Sequence, residues 1–257
     1  MDDALLHWAL GQVRTDAPAH GIGTLGERTL HAALKYCFEP DARFHERPLA
    51  GFVADIARPD GVIEIQTGGF YPLRKKLSAF LARGPVTVVH PLALQKRLIW
   101  VDAANGELSA PRKSSRPARL CDVLPEVFWL RDLLPEPGFR VCLVLLAIDE
   151  YRLKDGRGPD GKRGGTRFER LPTAFLGQVT LSEPADYARL LPPQLPPAFT
   201  APQFAAAARL RGRRASAALR VLQDCGVVLR TGEKQGRSLL YFVQDVGVDA
   251  GDVGDGA

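Results

Sequence analysis

Two short β-branched runs at residues 53–67, joined by Pro59-Asp60-Gly61, constrain this chain most, because they read as a tight antiparallel hairpin. In the second run Ile63, Ile65 and Thr67 share one face, while Glu64 and Gln66 share the other. In the first run Val53, Asp55 and Ala57 lie together. The register decides what Asp55 meets. A four-residue loop at residues 58–61 pairs Ala57 with Val62 and sets Asp55 opposite Glu64. A three-residue loop, with Arg58 opposite Val62, sends the two carboxylates to opposite faces. In the first register the β-carbons are about 5 Å apart, and facing like charges are destabilising without compensation. A divalent cation with carboxylate ligands would supply it, which makes Asp55 and Glu64 a candidate hard-metal pair.

Before the hairpin, residues 4–14 read as an amphipathic helix and residues 26–38 as a second. Glu27, Leu30, His31 and Leu34 recur at helical spacing, so Glu27 shares the core-facing stripe. Two readings of Glu27 stand: an acidic side chain aimed at the metal pair, or the closing residue of a capping box from Thr24. His31 on the same stripe reads as a core histidine. Gly21, Gly23 and Gly26 fit a dinucleotide-loop spacing, but a Pro/Gly loop precedes them and an antiparallel hairpin follows, which does not suit that use.

After the hairpin, Leu73, Leu77, Phe80 and Leu81 mark a helix whose first turn carries Arg74, Lys75 and Lys76. These cations either form a solvated face or, in the case of Lys76 on the flank of the stripe, reach back along the sheet. Residues 86–89 and 97–102 read as strands, 120–134 as a helix, and 139–153, with the apolar run at 141–148, as a central buried strand too short to span a bilayer.

The order from Asp55 through Glu64-Ile65-Gln66, a basic amphipathic helix and the strand Val86-Thr87-Val88-Val89 resembles the PD-(D/E)XK nuclease superfamily. The resemblance covers roughly residues 24–92. It implies an α/β fold with a restriction-endonuclease-like mixed sheet flanked by helices, and a metal-dependent DNA phosphodiesterase. It further implies a Mg²⁺ or Mn²⁺ site formed by Asp55, Glu64 and the Ile65 carbonyl, with Glu27 as an additional acidic residue. Gln66 stands where the family usually has lysine, although some restriction endonucleases in it carry Glu-x-Gln. The substitution removes a positive charge from the scissile phosphate. In some members of the family that lysine stands on the following helix, so the resemblance makes Lys76 the replacement candidate and leaves Gln66 to orient water.

The basic segment at 154–165, with Arg167 and Arg170 beyond it, reads as a mobile loop: its partial phosphate-loop spacing has Arg163 where Ser or Thr should stand. It would track a phosphate backbone or simply be solvated. Residues 192–198 are proline-rich and read as the linker closing a nuclease-like unit at 1–191. Residues 199–244 then give helix, turn, helix and two strands around a loop at 232–237, an order resembling a winged helix-turn-helix domain. Arg213, Arg214, Ser216 and Arg220 on its second helix, with Arg230, Lys234 and Arg237 in the wing, are the DNA-binding candidates. Residues 209–237 hold eight basic and two acidic side chains, which concentrates the chain's net charge of +5. A protein-binding winged helix is the alternative. The tail at 245–257, with four aspartates and no base, reads as disordered.

Cys37, Cys121, Cys142 and Cys225 are scattered singly, which favours free thiols in a reducing cytoplasm over disulfides or zinc. The expected partner is double-stranded DNA, without a membrane, and a homodimer is one way to cut both strands. The alternative function is a catalytically degenerate nuclease fold acting as a DNA-binding regulator or a protein-interaction adaptor.

Overall fold

Sheet order follows from where the apolar runs fall. A computed structural model describes residues 1–16, 28–156 and 165–244, excepting the side chains of residues 14–16 and 28. The central strands are β4 (Val86–Val101) and β6 (Phe139–Leu153), which run parallel along most of their length. Together with β1 (His45–Leu49), β2 (Phe52–Arg58), β3 (Gly61–Ile65) and β7 (Thr166–Leu181) they form a mixed sheet in the order β1-β2-β3-β4-β6-β7, and β5 (Arg112–Lys113) pairs with β4. The β3–β4 pair is also parallel, so two crossovers step across the sheet in one direction. Both carry their helices on the same face, as right-handed crossovers require. The first holds α3 (Arg74–Leu81) and the second α4 (Leu124–Val127). On the opposite face lie α1 (Asp3–Asp16) and α2 (Arg28–Phe38).

Burial on both faces explains the unbroken apolar run of β6, where Val141, Leu143 and Val144 have no exposed surface. Two expected strands at 86–89 and 97–102 are one continuous strand. Val89 directs its carbonyl at the Gln66 N–H, and the ladder to β3 ends there. Pro91, two residues on, faces the same edge beyond the last rung, so its missing N–H costs no ladder bond. The expected helix at 120–134 is a 3-10 turn (Leu120–Val123), the single turn α4 opened by Pro125, and a second 3-10 stretch (Phe128–Leu133). β7 was not legible in the sequence. It is an edge strand, half-buried along most of its length and interrupted by Pro172 and Gly177, so it lacks a clean period of two. Arg167 and Arg170, expected in a basic loop, belong to β7.

The C-terminal segment comprises β8 (Ala198–Thr200), α5 (Ala201–Ala207), α6 (Gly212–Asp224), β9 (Val228–Gln235) and β10 (Ser238–Val243). Its strands form a separate sheet in the order β8-β10-β9. The expected loop at 232–237 is mostly strand: β9 runs to Gln235, and the chain reverses through Gly236 (φ 63°) and Arg237. The proline segment before β8 packs rather than spans: Pro192 is buried and Leu195 lies against the core. One apolar cluster runs from Leu77 and Phe80 of α3 through Leu124 and Leu130 to Leu219, Val221 and Leu222 of α6. The C-terminal helices therefore share the core of the main sheet's α3 face. Among the described residues, no helix is long and apolar enough to cross a membrane.

Candidate active site

The β2–β3 ladder pairs Arg58 with Gly61, Ala57 with Val62 and Ile56 with Ile63. This is the register that sets Asp55 opposite Glu64. The hairpin turn is one rung tighter than a four-residue loop, with Gly61 at φ 149° and only 2.8 Å between a β-carbon built there and the Pro85 carbonyl oxygen. Beyond Ile56 the two strands part, and side chains take over the pairing. The Asp55 N–H donates to Glu64 Oε1 (3.0 Å), and the Ile65 N–H donates to Asp55 Oδ2 (2.8 Å). Each carboxylate thus satisfies a backbone donor that the splayed strands leave open.

A lysine and a histidine from opposite faces of the sheet meet this pair. Lys76 Nζ on α3 lies 2.5 Å from Glu64 Oε2, and His31 Nε2 on α2 lies 3.2 Å from Asp55 Oδ2. Lys76 also stands 5.7 Å over the Phe80 ring. Glu64 is 1% exposed. Burial, and then the Asp55 charge, push its carboxyl above the ordinary range; Lys76 and the Asp55 N–H oppose this without cancelling it. Burial also acts to raise Asp55, but the His31 hydrogen bond and charge, the Ile65 N–H and Lys76 outweigh it and hold that carboxyl low. The pair is therefore split, with Asp55 the readier anion.

Gln66 behaves differently from its expected role. Its side chain folds back, Nε2 donating to the Gly69 carbonyl at 2.5 Å, and so braces the turn after β3. Its own carbonyl lies 2.6 Å from His90 Nδ1, and burial lowers the pKa of that imidazole despite the contact. Glu27 lies outside the described residues. Among the described residues, no three His, Cys, Asp or Glu side chains are grouped so as to hold a metal ion. The donors at the hairpin still suit a hard cation: among the described residues Asp55 Oδ1 has no partner and Glu64 Oε2 is held only by Lys76, and the Ile65 main chain adjoins both. Mg²⁺ needs no more, since it keeps several waters and takes one or two carboxylates plus substrate oxygens.

His31, expected as a core histidine from its helical stripe, is part-buried and finds its partner in Asp55 across the sheet, a contact the stripe alone does not reveal. Arg170 was also missed; from β7 it donates to the Thr67 carbonyl (3.2 Å), just beyond the end of β3.

The DNA-binding candidates separate into two groups. Arg213 and Ser216 are exposed on α6, while Arg214 is paired with Glu126 of α4 (3.1 Å) and Arg220 with Asp224 (2.8 Å). Arg230, Lys234 and Arg237 are exposed on the β9–β10 hairpin and hold no ion pair among the described residues.

The fold and site define a mixed α/β protein with two convergent carboxylates at the mouth of a central hairpin. The family described as "Domain of unknown function (DUF8091)" matches residues 28–182, more than half of the chain, and the protein belongs to that family. The matched region contains His31, Asp55, Glu64, Gln66 and Lys76. An "Uncharacterized protein" of Treponema pallidum (strain Nichols) is 29% identical over 227 residues, which cover 86% of this chain and 86% of that one. No solved structure gives a significant match.

Proposed function

We propose that this protein is a divalent-metal-dependent DNA phosphodiesterase with a PD-(D/E)XK-like core and a C-terminal winged helix-turn-helix unit. The observation that carries the reading is the convergence of Asp55 and Glu64, with Lys76 on Glu64, at the open end of the β2–β3 hairpin. The strand order, with β3 and β4 parallel and the basic helix α3 between them, supports the core assignment. Two helices followed by a hairpin on a small three-stranded sheet support the second unit. In this reading Asp55, Glu64 and the Ile65 carbonyl would hold Mg²⁺ or Mn²⁺, which when bound would offset phosphate charge and activate water. Lys76 then swings from Glu64 to the scissile phosphate and supplies the cation that Gln66 cannot. Gln66 keeps the turn at residues 67–69 closed behind the site.

Purified protein incubated with supercoiled, linear and single-stranded DNA, with Mg²⁺ or Mn²⁺, tests the reading. Cleavage is expected, Glu64→Ala abolishes it, and Lys76→Ala slows it by two or more powers of ten, about 2.7 kcal/mol of transition-state stabilisation. The tethering of Gln66 to Gly69 favours a second reading, a DNA-binding protein that has lost the chemistry. Inertness of both the wild type and Gln66→Lys with every metal would select it.

A further inference from the structure

A cleft of about 1000 Å³ lies not at the carboxylates but between β4 with the segment at 115–119 and the α5–α6 turn. Six cations line it: Lys96, Arg116, Arg119, Arg209, Arg211 and Arg214. Its one lining carboxylate, Asp122, is held by Arg119 through the backbone N–H (2.9 Å) and the guanidinium (3.4 Å). Arg119 also donates to the carbonyls of Ala207 and Ala208 and so fixes the wall formed by α5. Lys96 and Arg214 have partners in Glu150 and Glu126. Arg116, Arg209 and Arg211 are exposed and hold no ion pair among the described residues. The cleft therefore gathers uncompensated positive charge in a concave site.

The backbone at Arg209 is the sharper clue. Leu210 N–H bonds to the Ala205 carbonyl and Arg209 N–H to the Ala206 carbonyl, both at 3.0 Å, which closes α5 with a Schellman turn. The residue in the left-handed position of that turn is Arg209, at φ 46°. Glycine is the residue this position favours. Leu210 turns into the core while the arginines on either side stay outside and line the cleft, so a guanidinium stands where glycine is the usual residue.

We propose that this cleft is where the protein grips the phosphodiester backbone of nucleic acid, with Arg116, Arg209 and Arg211 as the phosphate contacts. The proposal rests on the phosphodiesterase reading only for the identity of the polyanion. It moves the main contact from the exposed faces of α6 and the β9–β10 hairpin to the turn between α5 and α6. Arg214, through Glu126, joins the cleft to the active-site turn, since a β-carbon at Gly69 would lie 3.1 Å from Glu126 Oε2.

Fluorescence anisotropy with labelled duplex and labelled single-stranded DNA, in chelator and over a range of salt, tests the assignment without reading cleavage. Arg209→Gly separates binding from folding: its melting temperature should equal or exceed that of the wild type while affinity falls. For the variant Arg116→Ala/Arg209→Gly/Arg211→Ala, affinity for duplex should fall about tenfold or more near physiological salt. The slope of log K on log salt should flatten by nearly three, at about 0.9 per lost contact. The duplex and single-strand arms show which form the cleft prefers, and a loss with either supports the proposal. Unchanged affinity and slope in the triple variant overturn it, as does a loss confined to Arg230→Ala/Lys234→Ala. Absence of salt-dependent binding to either nucleic acid also overturns it and would leave an acidic protein surface as the occupant. If the triple variant binds normally while the wild type cleaves, the cleft fails alone. If binding depends on the cleft and no metal supports cleavage, the phosphodiesterase fails alone.

Discussion

Replacing Lys76 by methionine isolates the electrostatics of the site from its packing. An unbranched side chain of similar length is kept, and the charge that lies beside Glu64 and over the Phe80 ring is removed. Glu64 is 1% exposed and already faces the charge of Asp55, so the variant leaves a buried anion without its cation. Breaking a buried ion pair from one side costs about 3–5 kcal/mol. The Lys76 side chain is 19% exposed, so water screens part of the interaction, and about 2–4 kcal/mol is the reasonable expectation. In a chain of this size that corresponds to a fall of roughly 5–15 °C in melting temperature. The pH dependence carries the stronger test. Because the folded-state carboxyl of Glu64 is raised, the folded state holds its proton more tightly than the unfolded state does. Ionised Glu64 therefore costs stability as pH rises through its folded pKa, and the cost disappears on acidification. Removing Lys76 enlarges that cost, so Lys76→Met should be most destabilised at alkaline pH and approach the wild type in mild acid. Adding Glu64→Gln to Lys76→Met should restore most of the loss. Thermal and urea unfolding across pH measure all three effects. A Lys76→Met variant as stable as the wild type at alkaline pH, or one whose deficit ignores pH, would refute the reasoning.

The same site gives the opposite sign at Asp55. Its lowered carboxyl pKa contributes stability above the unfolded value that is lost as pH falls through the folded one; His31→Ala should shrink this contribution and raise the Asp55 pKa, as carbon-13 titration of the carboxyl would show. All four cysteines are buried, with Cys37 and Cys225 pushed up to about 12 and Cys142 to about 11 by desolvation, so a thiol reagent at neutral pH should label none of them until the protein unfolds.

What was legible in the sequence follows the reach of the interactions involved. The β2–β3 register could be narrowed to two choices, and Ala57 opposite Val62 is the one observed, because a short turn and a period of two are local properties. β6 was legible because full burial on both faces writes itself as an unbroken apolar run. β7 was not, because a half-buried edge strand carries neither that run nor a clean alternation. For Lys76 the sequence left two readings, a solvated face or a reach back along the sheet, and the second is the one observed, on Glu64. His31 was assigned to the core because its partner, Asp55, lies across the sheet and leaves no mark in the helical stripe. The basic cleft was hidden for the same reason. Arg116 and Arg209 are far apart in sequence, and the local charge density at 209–237 pointed to the helix face and the hairpin. Two of the helix arginines in that count, Arg214 and Arg220, spend their charge on Glu126 and Asp224. Charge counted along a chain overstates what a surface presents, because it cannot subtract partners contributed by the fold. Subtraction leaves Arg209 and Arg211 at the α5–α6 turn, Arg213 on α6, and Arg230, Lys234 and Arg237 on the hairpin, and it is the first two that meet Arg116 across a cleft rather than along a helix.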